Sequence, residues 1–210
     1  MKYSFILLLI CLVAWQATAE KETQASEQKA ETQEPANGLI SHGIPYPTKG
    51  SIDYRDNGLK KYIPEGTTQE VLAEGFVWSE GPLWVESQDY LLFSDVPQNI
   101  VYRWRQNRGI DVFLNPSGHM GDSARTNEPG SNGLALNPEG KLILCQHGDR
   151  KVAMLESDWD KPESVFQTIV DRFEEKRFNS PNDLVFNSSG ELYFTDPPYG
   201  LYGQDEDPSK

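Results

Sequence analysis

Three oxygen-bearing side chains recur at a near-constant interval along the chain: Glu80, Asn132 and Asn182, separated by 52 and 50 residues. One carboxylate with two amide oxygens is the kind of donor set that a hard cation such as Ca²⁺ selects, whereas three His and two Cys are too few for a soft-metal cluster. A second group of polar residues follows at a regular distance: Asp95 after Glu80, Gln146 and His147 after Asn132, and Asp196 with Tyr199 after Asn182. Carboxylates, an amide, an imidazole and a phenol facing one place suit a polyhydroxylated or carbonyl ligand. Each residue also has a plainer local reading. Glu80 before Gly81-Pro82 closes a turn; Asn132 and Asn182 form Asx-turns; Asp95 and Asp196 cap strand ends; His147 before Gly148 sits in an exposed loop. A shared phase favours the first reading for Glu80, Asn132 and Asn182.

The elements that would position these residues are repeated too. Gly81-Pro82-Leu83-Trp84, Gly133-Leu134-Ala135-Leu136 and Asp183-Leu184-Val185-Phe186 are each followed by a polar turn. A β-branched or aromatic run then follows in each copy, ending at Asp95, Cys145 and Asp196, which reads as a tight β-hairpin. Two further strand-like pieces come after the first two hairpins, at 99–104 and 112–114 and at 151–155 and 165–170. Four strands in about fifty residues is the pattern of a β-propeller blade, so the expected fold is all-β. In such a fold the innermost strands line a central channel and equivalent positions converge there. The length then corresponds to about three to three and a half blades.

The chain has 210 residues and a net charge of −13, from 19 basic and 32 acidic side chains. No segment is basic, which excludes phosphate-backbone recognition and electrostatic docking on anionic lipid. Met1-Lys2, the apolar run 5–14 and Ala17-Thr18-Ala19 predict a secretory leader over residues 1–19, and hence export to a periplasm or the exterior. The run is too short to span a bilayer. Residues 20–38 carry no aromatic, Leu, Ile or Val and read as a disordered polar tether, so the propeller domain is expected over 39–210. Past the leader Cys145 is the sole cysteine, and no intrachain disulfide is expected.

Five ordered motifs carry a resemblance. Glu80-Gly81-Pro82-Leu83-Trp84, Ser131-Asn132-Gly133-Leu134, Cys145-Gln146-His147-Gly148-Asp149-Arg150, Ser180-Pro181-Asn182-Asp183-Leu184 and Phe194-Thr195-Asp196-Pro197-Pro198-Tyr199-Gly200 are similar to the gluconolactonase, regucalcin and luciferin-regenerating-enzyme family, in its gluconolactonase branch. The resemblance implies a six-bladed β-propeller that hydrolyses sugar-acid lactones with one divalent metal. That metal is expected to be Ca²⁺, with Zn²⁺, Mn²⁺ or Mg²⁺ as alternatives. It places the metal-binding Glu on Glu80, the metal-binding Asn on Asn182 and a substrate-contacting Asn on Asn132. His147, Asp196 and Tyr199 are expected to face the same small-molecule lactone.

The family's remaining ligand, an Asp taken as general base, is expected one repeat past Asn182 at about position 232, beyond Lys210. On that arithmetic the 210 residues are expected to be an amino-terminal piece of a longer enzyme, inactive alone. The regucalcin branch carries an Arg two residues before its substrate Asn, where this chain has Gly130. Two other functions stay open for the same residues: a non-catalytic propeller that binds a carbohydrate or protein, and an esterase or organophosphate hydrolase.

Overall fold

The computed structural model describes residues 38–122 and 127–201. The expected leader and all but the last residue of the expected tether lie outside the described residues, as does the segment after Leu201. Among the described residues no helix is long and apolar enough to cross a membrane.

Four two-residue strands come first: Ile40–Ser41 (β1), Thr48–Lys49 (β2), Gln69–Glu70 (β3) and Ala73–Glu74 (β4), with β1 paired to β4 and β2 to β3. Two four-stranded sheets follow. The first is Ser79–Val85 (β5), Tyr90–Asp95 (β6), Ile100–Arg105 (β7) and Gly109–Leu114 (β8); the second is Ser131–Leu136 (β9), Leu142–Gln146 (β10), Lys151–Leu155 (β11) and Phe166–Val170 (β12). Both are antiparallel meanders whose spatial order equals chain order, as the repeat predicts for blades. A small hairpin, Arg172–Phe173 (β13) with Lys176–Arg177 (β14), precedes Leu184–Phe186 (β15) and Leu192–Phe194 (β16), the hairpin of the third copy. The turns are made locally: Asp89 takes φ 54° ahead of β6, and Asn137 Oδ1 accepts from the Glu139 and Lys141 amides ahead of β10.

Strand β10 shows why these runs are apolar throughout. Side chains alternate across a strand, so Leu142 and Leu144 face the first sheet while Ile143 and Cys145 face the β15–β16 hairpin. On one side they join Val85, Tyr90, Leu92, Val101, Phe113 and Leu134; on the other they meet Leu184 with Phe186, Leu192 and Phe194. Burial on both faces turns the usual alternation into a continuous hydrophobic run. Each fully buried Leu or Ile contributes about 1.5–3 kcal/mol. The outer face of the first sheet, with Phe93, Ile100, Tyr102 and Ile110, is covered by Leu39, Ala73 and Phe76 from the preceding segment. On the far face of the last hairpin, Val185 and Tyr193 are exposed.

Candidate functional site

Glu80 and Asn132 lie on the adjacent strands β5 and β9, Asn182 stands two residues before β15, and backbone contacts fix their adjacency. The Gly133 amide donates to the Asn182 carbonyl at 2.7 Å, and Ser94 Oγ donates to the Asn132 carbonyl at 2.9 Å. The approach is close enough to require glycine. A Cβ on Gly133 would sit 2.7 Å from Asp183 Oδ1 and 2.8 Å from the Asn182 carbonyl oxygen. One on Gly81, which has φ +55°, would overlap the Asn132 carbonyl oxygen. Glu80, Asn132 and Asn182 therefore stand side by side at the start of three successive hairpins. In both complete sheets the ladder shifts by one residue at this place, between Glu80 and Leu83 and opposite Leu144 to Gln146. Such bulges re-aim the side chains beside them.

Asn132 is buried and Asn182 half-buried, and among the described residues no hydrogen bond ties either amide to its own loop. Asx-turns form five residues later instead, at Asn137 and Asn187. Glu80 lies within β5 rather than in a turn, and its Oε1 accepts from Trp78 Nε1 at 2.9 Å.

Asp95 and Asp196 have a positioning task. Asp95 accepts the Val77 and Trp78 amides at 3.0 and 3.1 Å, and Asp196 accepts the Asn179 and Ser180 amides at 2.8 and 2.9 Å. In both blades these are the amides three and two residues before the site residue, so each carboxylate clamps the entry to an inner strand. In the middle blade Gln146 takes that place, donating from Nε2 to the Ser117 carbonyl at 2.9 Å, while Ser117 Oγ accepts from the Ser131 amide at 3.0 Å.

His147 is fully buried rather than loop-exposed. Burial lowers its pKa to about 4, so the ring is neutral at ordinary pH. Gly200 packs directly over its Cδ2–Nε2 edge, held there by a bond from the Gly200 amide to Ser180 Oγ at 2.9 Å. Tyr199, one residue away on the same loop, is exposed.

Glu128 escapes the sequence pattern. Its carboxylate lies 3.5 Å from His147 Nε2, and its pKa is raised by burial and then by the negative charge of Glu80. At the corresponding phase the other copies carry Phe76 and Phe178, which pack edge-on against Phe93 and Phe194 at 4.9 and 5.0 Å. The only signal for Glu128 in the sequence was a carboxylate where two copies have an aromatic. A second pair involves the next acidic residue, with His119 Nδ1 2.8 Å from Asp149 Oδ1 and Lys151 Nζ 3.3 Å from Asp149 Oδ2.

Among the described residues no three His, Cys, Asp or Glu side chains form a metal cage by themselves. The donors on the inner strands are instead one carboxylate and two amides, a chemistry that fits a hard oxygen-seeking cation and not a soft metal.

Residues 78–208 match the model of the SMP-30/Gluconolactonase/LRE-like region family. A gluconolactonase of Zymomonas mobilis is 42% identical over 161 residues, which cover 76% of this chain and 44% of that protein. The structure of a Xanthomonas campestris gluconolactonase is 36% identical with a TM-score of 0.50, covering 64% of this chain and 38% of that one. An X-ray structure assigned to the gluconolactonases by a structural-genomics consortium is 35% identical with a TM-score of 0.51, covering 60% and 39%. The chain thus spans less than half the length of these relatives. With its blades, its repeat and its ordered motifs, the chain belongs to the SMP-30/gluconolactonase/LRE-like family.

Proposed function

We propose that the protein hydrolyses the lactone of a sugar acid, with Glu80 and Asn182 holding a divalent cation, Ca²⁺ first, and Asn132 orienting the sugar ring. The observation that carries this is the backbone stitching of Glu80-Gly81, Asn132-Gly133 and Asn182-Asp183 into one row within a gluconolactonase-family chain. When bound, the cation polarises the lactone carbonyl and offsets the negative charge that develops on its oxygen.

The chain's own residues do the rest. Trp78 Nε1 holds one oxygen of Glu80 and leaves the other without that bond. Asp95 and Asp196 fix the strand entries from which Glu80 and Asn182 project. The Asn132 amide, free of its own loop, offers both a donor and an acceptor to ring hydroxyls. Tyr199, exposed on the loop that covers His147, lines the approach for the ligand. We further propose that the protein is exported.

The test is hydrolysis of glucono-1,5-lactone by the full-length protein with and without chelator. Chelation abolishes turnover, Ca²⁺ restores it, and Glu80→Ala lowers kcat/KM by about 10²-fold or more. Lactone binding without turnover at any Ca²⁺ concentration would establish the non-catalytic alternative, and undiminished turnover by Glu80→Ala would remove Glu80 from the site.

A further inference from the structure

We propose that Ser94 is a positioning residue: its hydroxyl sets the orientation of Asn132 from the neighbouring blade. This rests on the lactone-hydrolysis reading above, in which Asn132 orients the sugar ring. Ser94 lies on β6, where its ladder partner is Glu80. Its side chain is fully buried and reaches out of its own blade. Oγ lies 2.9 Å from the Asn132 carbonyl oxygen and 2.9 Å from Ser131 Oγ.

The direction of these bonds follows from the groups. A carbonyl only accepts, so the single Ser94 proton goes to Asn132, and the Ser131 hydroxyl then donates its own proton to Ser94. Ser94, Ser131 and Asn132 are all buried, so water does not compete for these bonds. On another side the same carbonyl meets Gly81, where an added Cβ would overlap the oxygen. The backbone beside the Asn132 side chain is thus held twice by residues of the first blade.

The next junction is built without hydroxyls. Cys145 and Pro181 stand at the phases of Ser94 and Ser131, and both are buried. There the Asn182 carbonyl accepts from a backbone amide, that of Gly133, at 2.7 Å. Closing one blade on the next therefore needs no buried hydroxyl at these phases. Of the two junctions, the one that carries the hydroxyl pair is the one at Asn132. Burying two polar groups costs free energy that their mutual bonds must offset, and what the arrangement adds is a fixed geometry at Asn132.

The assignment is tested on the full-length protein with glucono-1,5-lactone, comparing Ser94→Ala and Ser94→Cys, each alone and combined with Asn132→Ala. Cys is the conservative variant: its thiol is a weak donor, and Cys145 is accommodated fully buried at the same phase. Ser94→Ala is expected to lower kcat/KM about tenfold and Ser94→Cys by less, with Ca²⁺ affinity within about twofold of the parent for both. On top of Asn132→Ala, either change should cost less than about twofold, because a residue that acts through Asn132 then has nothing to position. A purely structural role would cost the same in both backgrounds. Both Ser94 variants within about twofold of the parent, or an undiminished further loss on top of Asn132→Ala, would overturn the role of Ser94 and leave the lactonase reading standing. If the unsubstituted protein does not hydrolyse the lactone at any Ca²⁺ concentration, that reading fails and this assignment fails with it.

Discussion

Replacing Gly81 by Ala isolates the contact on which the site's geometry depends. Two penalties combine at this position. The residue has φ +55°, where a Cβ is disfavoured by about 1–2 kcal/mol. The added methyl would also lie 3.0 Å from Gly133 Cα and 3.1 Å from the Leu134 nitrogen, and nearer still to the Asn132 carbonyl oxygen. All three neighbours are backbone of the next inner strand, which cannot rotate away, and overpacking of this kind adds about 1–3 kcal/mol. The sum is about 3.5 kcal/mol, or a fall in melting temperature of about 10 °C for a chain of this size. Gly140→Ala is the matched control: φ is +74° and nothing lies within 4 Å of the added carbon, so only the backbone penalty applies. Its melting temperature should fall by about 4 °C. Thermal unfolding followed by circular dichroism separates the two, and Ca²⁺ titration should show lost affinity for Gly81→Ala alone, because Glu80 moves with its neighbour. Equal destabilisation by both substitutions would mean that the inner strands do not need glycine for their approach, and the convergence of Glu80 with Asn132 would lose its basis.

Asp196→Ala removes a charged acceptor from two backbone amides and should lower stability by about 1.5–3 kcal/mol, with Asp95→Ala behaving alike. Denaturant midpoints check this; an unchanged midpoint with lost turnover would instead make Asp196 a substrate contact. Burial pushes the Tyr90 hydroxyl up to about 12, against the lowering influence of the nearby Arg103. Between about pH 10 and 12 the unfolded chain would release a proton that the folded chain keeps, so stability falls as pH rises, by at most about 1.4 kcal/mol per unit. Urea midpoints at pH 9 and 11 should therefore drop less for Tyr90→Phe than for the parent, and parallel drops would exclude Tyr90 as the source.

The repeat made the blades readable because a propeller imposes one constraint many times. Hairpin, turn and outer strands recur at fixed phase, and a run such as Leu142-Ile143-Leu144-Cys145 is apolar on both faces since a sheet lies on each side of it. The same logic placed Glu80, Asn132 and Asn182 together, and it fails where the copies differ. The role of Asp196 could not be read from composition, because a carboxylate at a strand end is equally suited to a ligand and to a backbone amide. The paired distances show the carboxylates of Asp95 and Asp196 accepting backbone amides in the same way.

Departures from the repeat are where the site acquires its individuality. Residues under packing constraint alone should stay alike from copy to copy, as Phe76 with Phe93 and Phe178 with Phe194 do. Where one copy substitutes chemistry for packing, the fold must compensate nearby, and here it does so twice. Gln146 replaces the clamping carboxylate and recruits the 115–119 turn through Ser117 and Asn99, whose Oδ1 accepts the Ser117 and Gly118 amides. Glu128 replaces the aromatic anchor and meets a buried imidazole. Both changes fall in the middle of the three copies, on either side of Asn132 in sequence. Copies one and three meet the same demands with a carboxylate clamp and an aromatic anchor, so packing alone requires neither change.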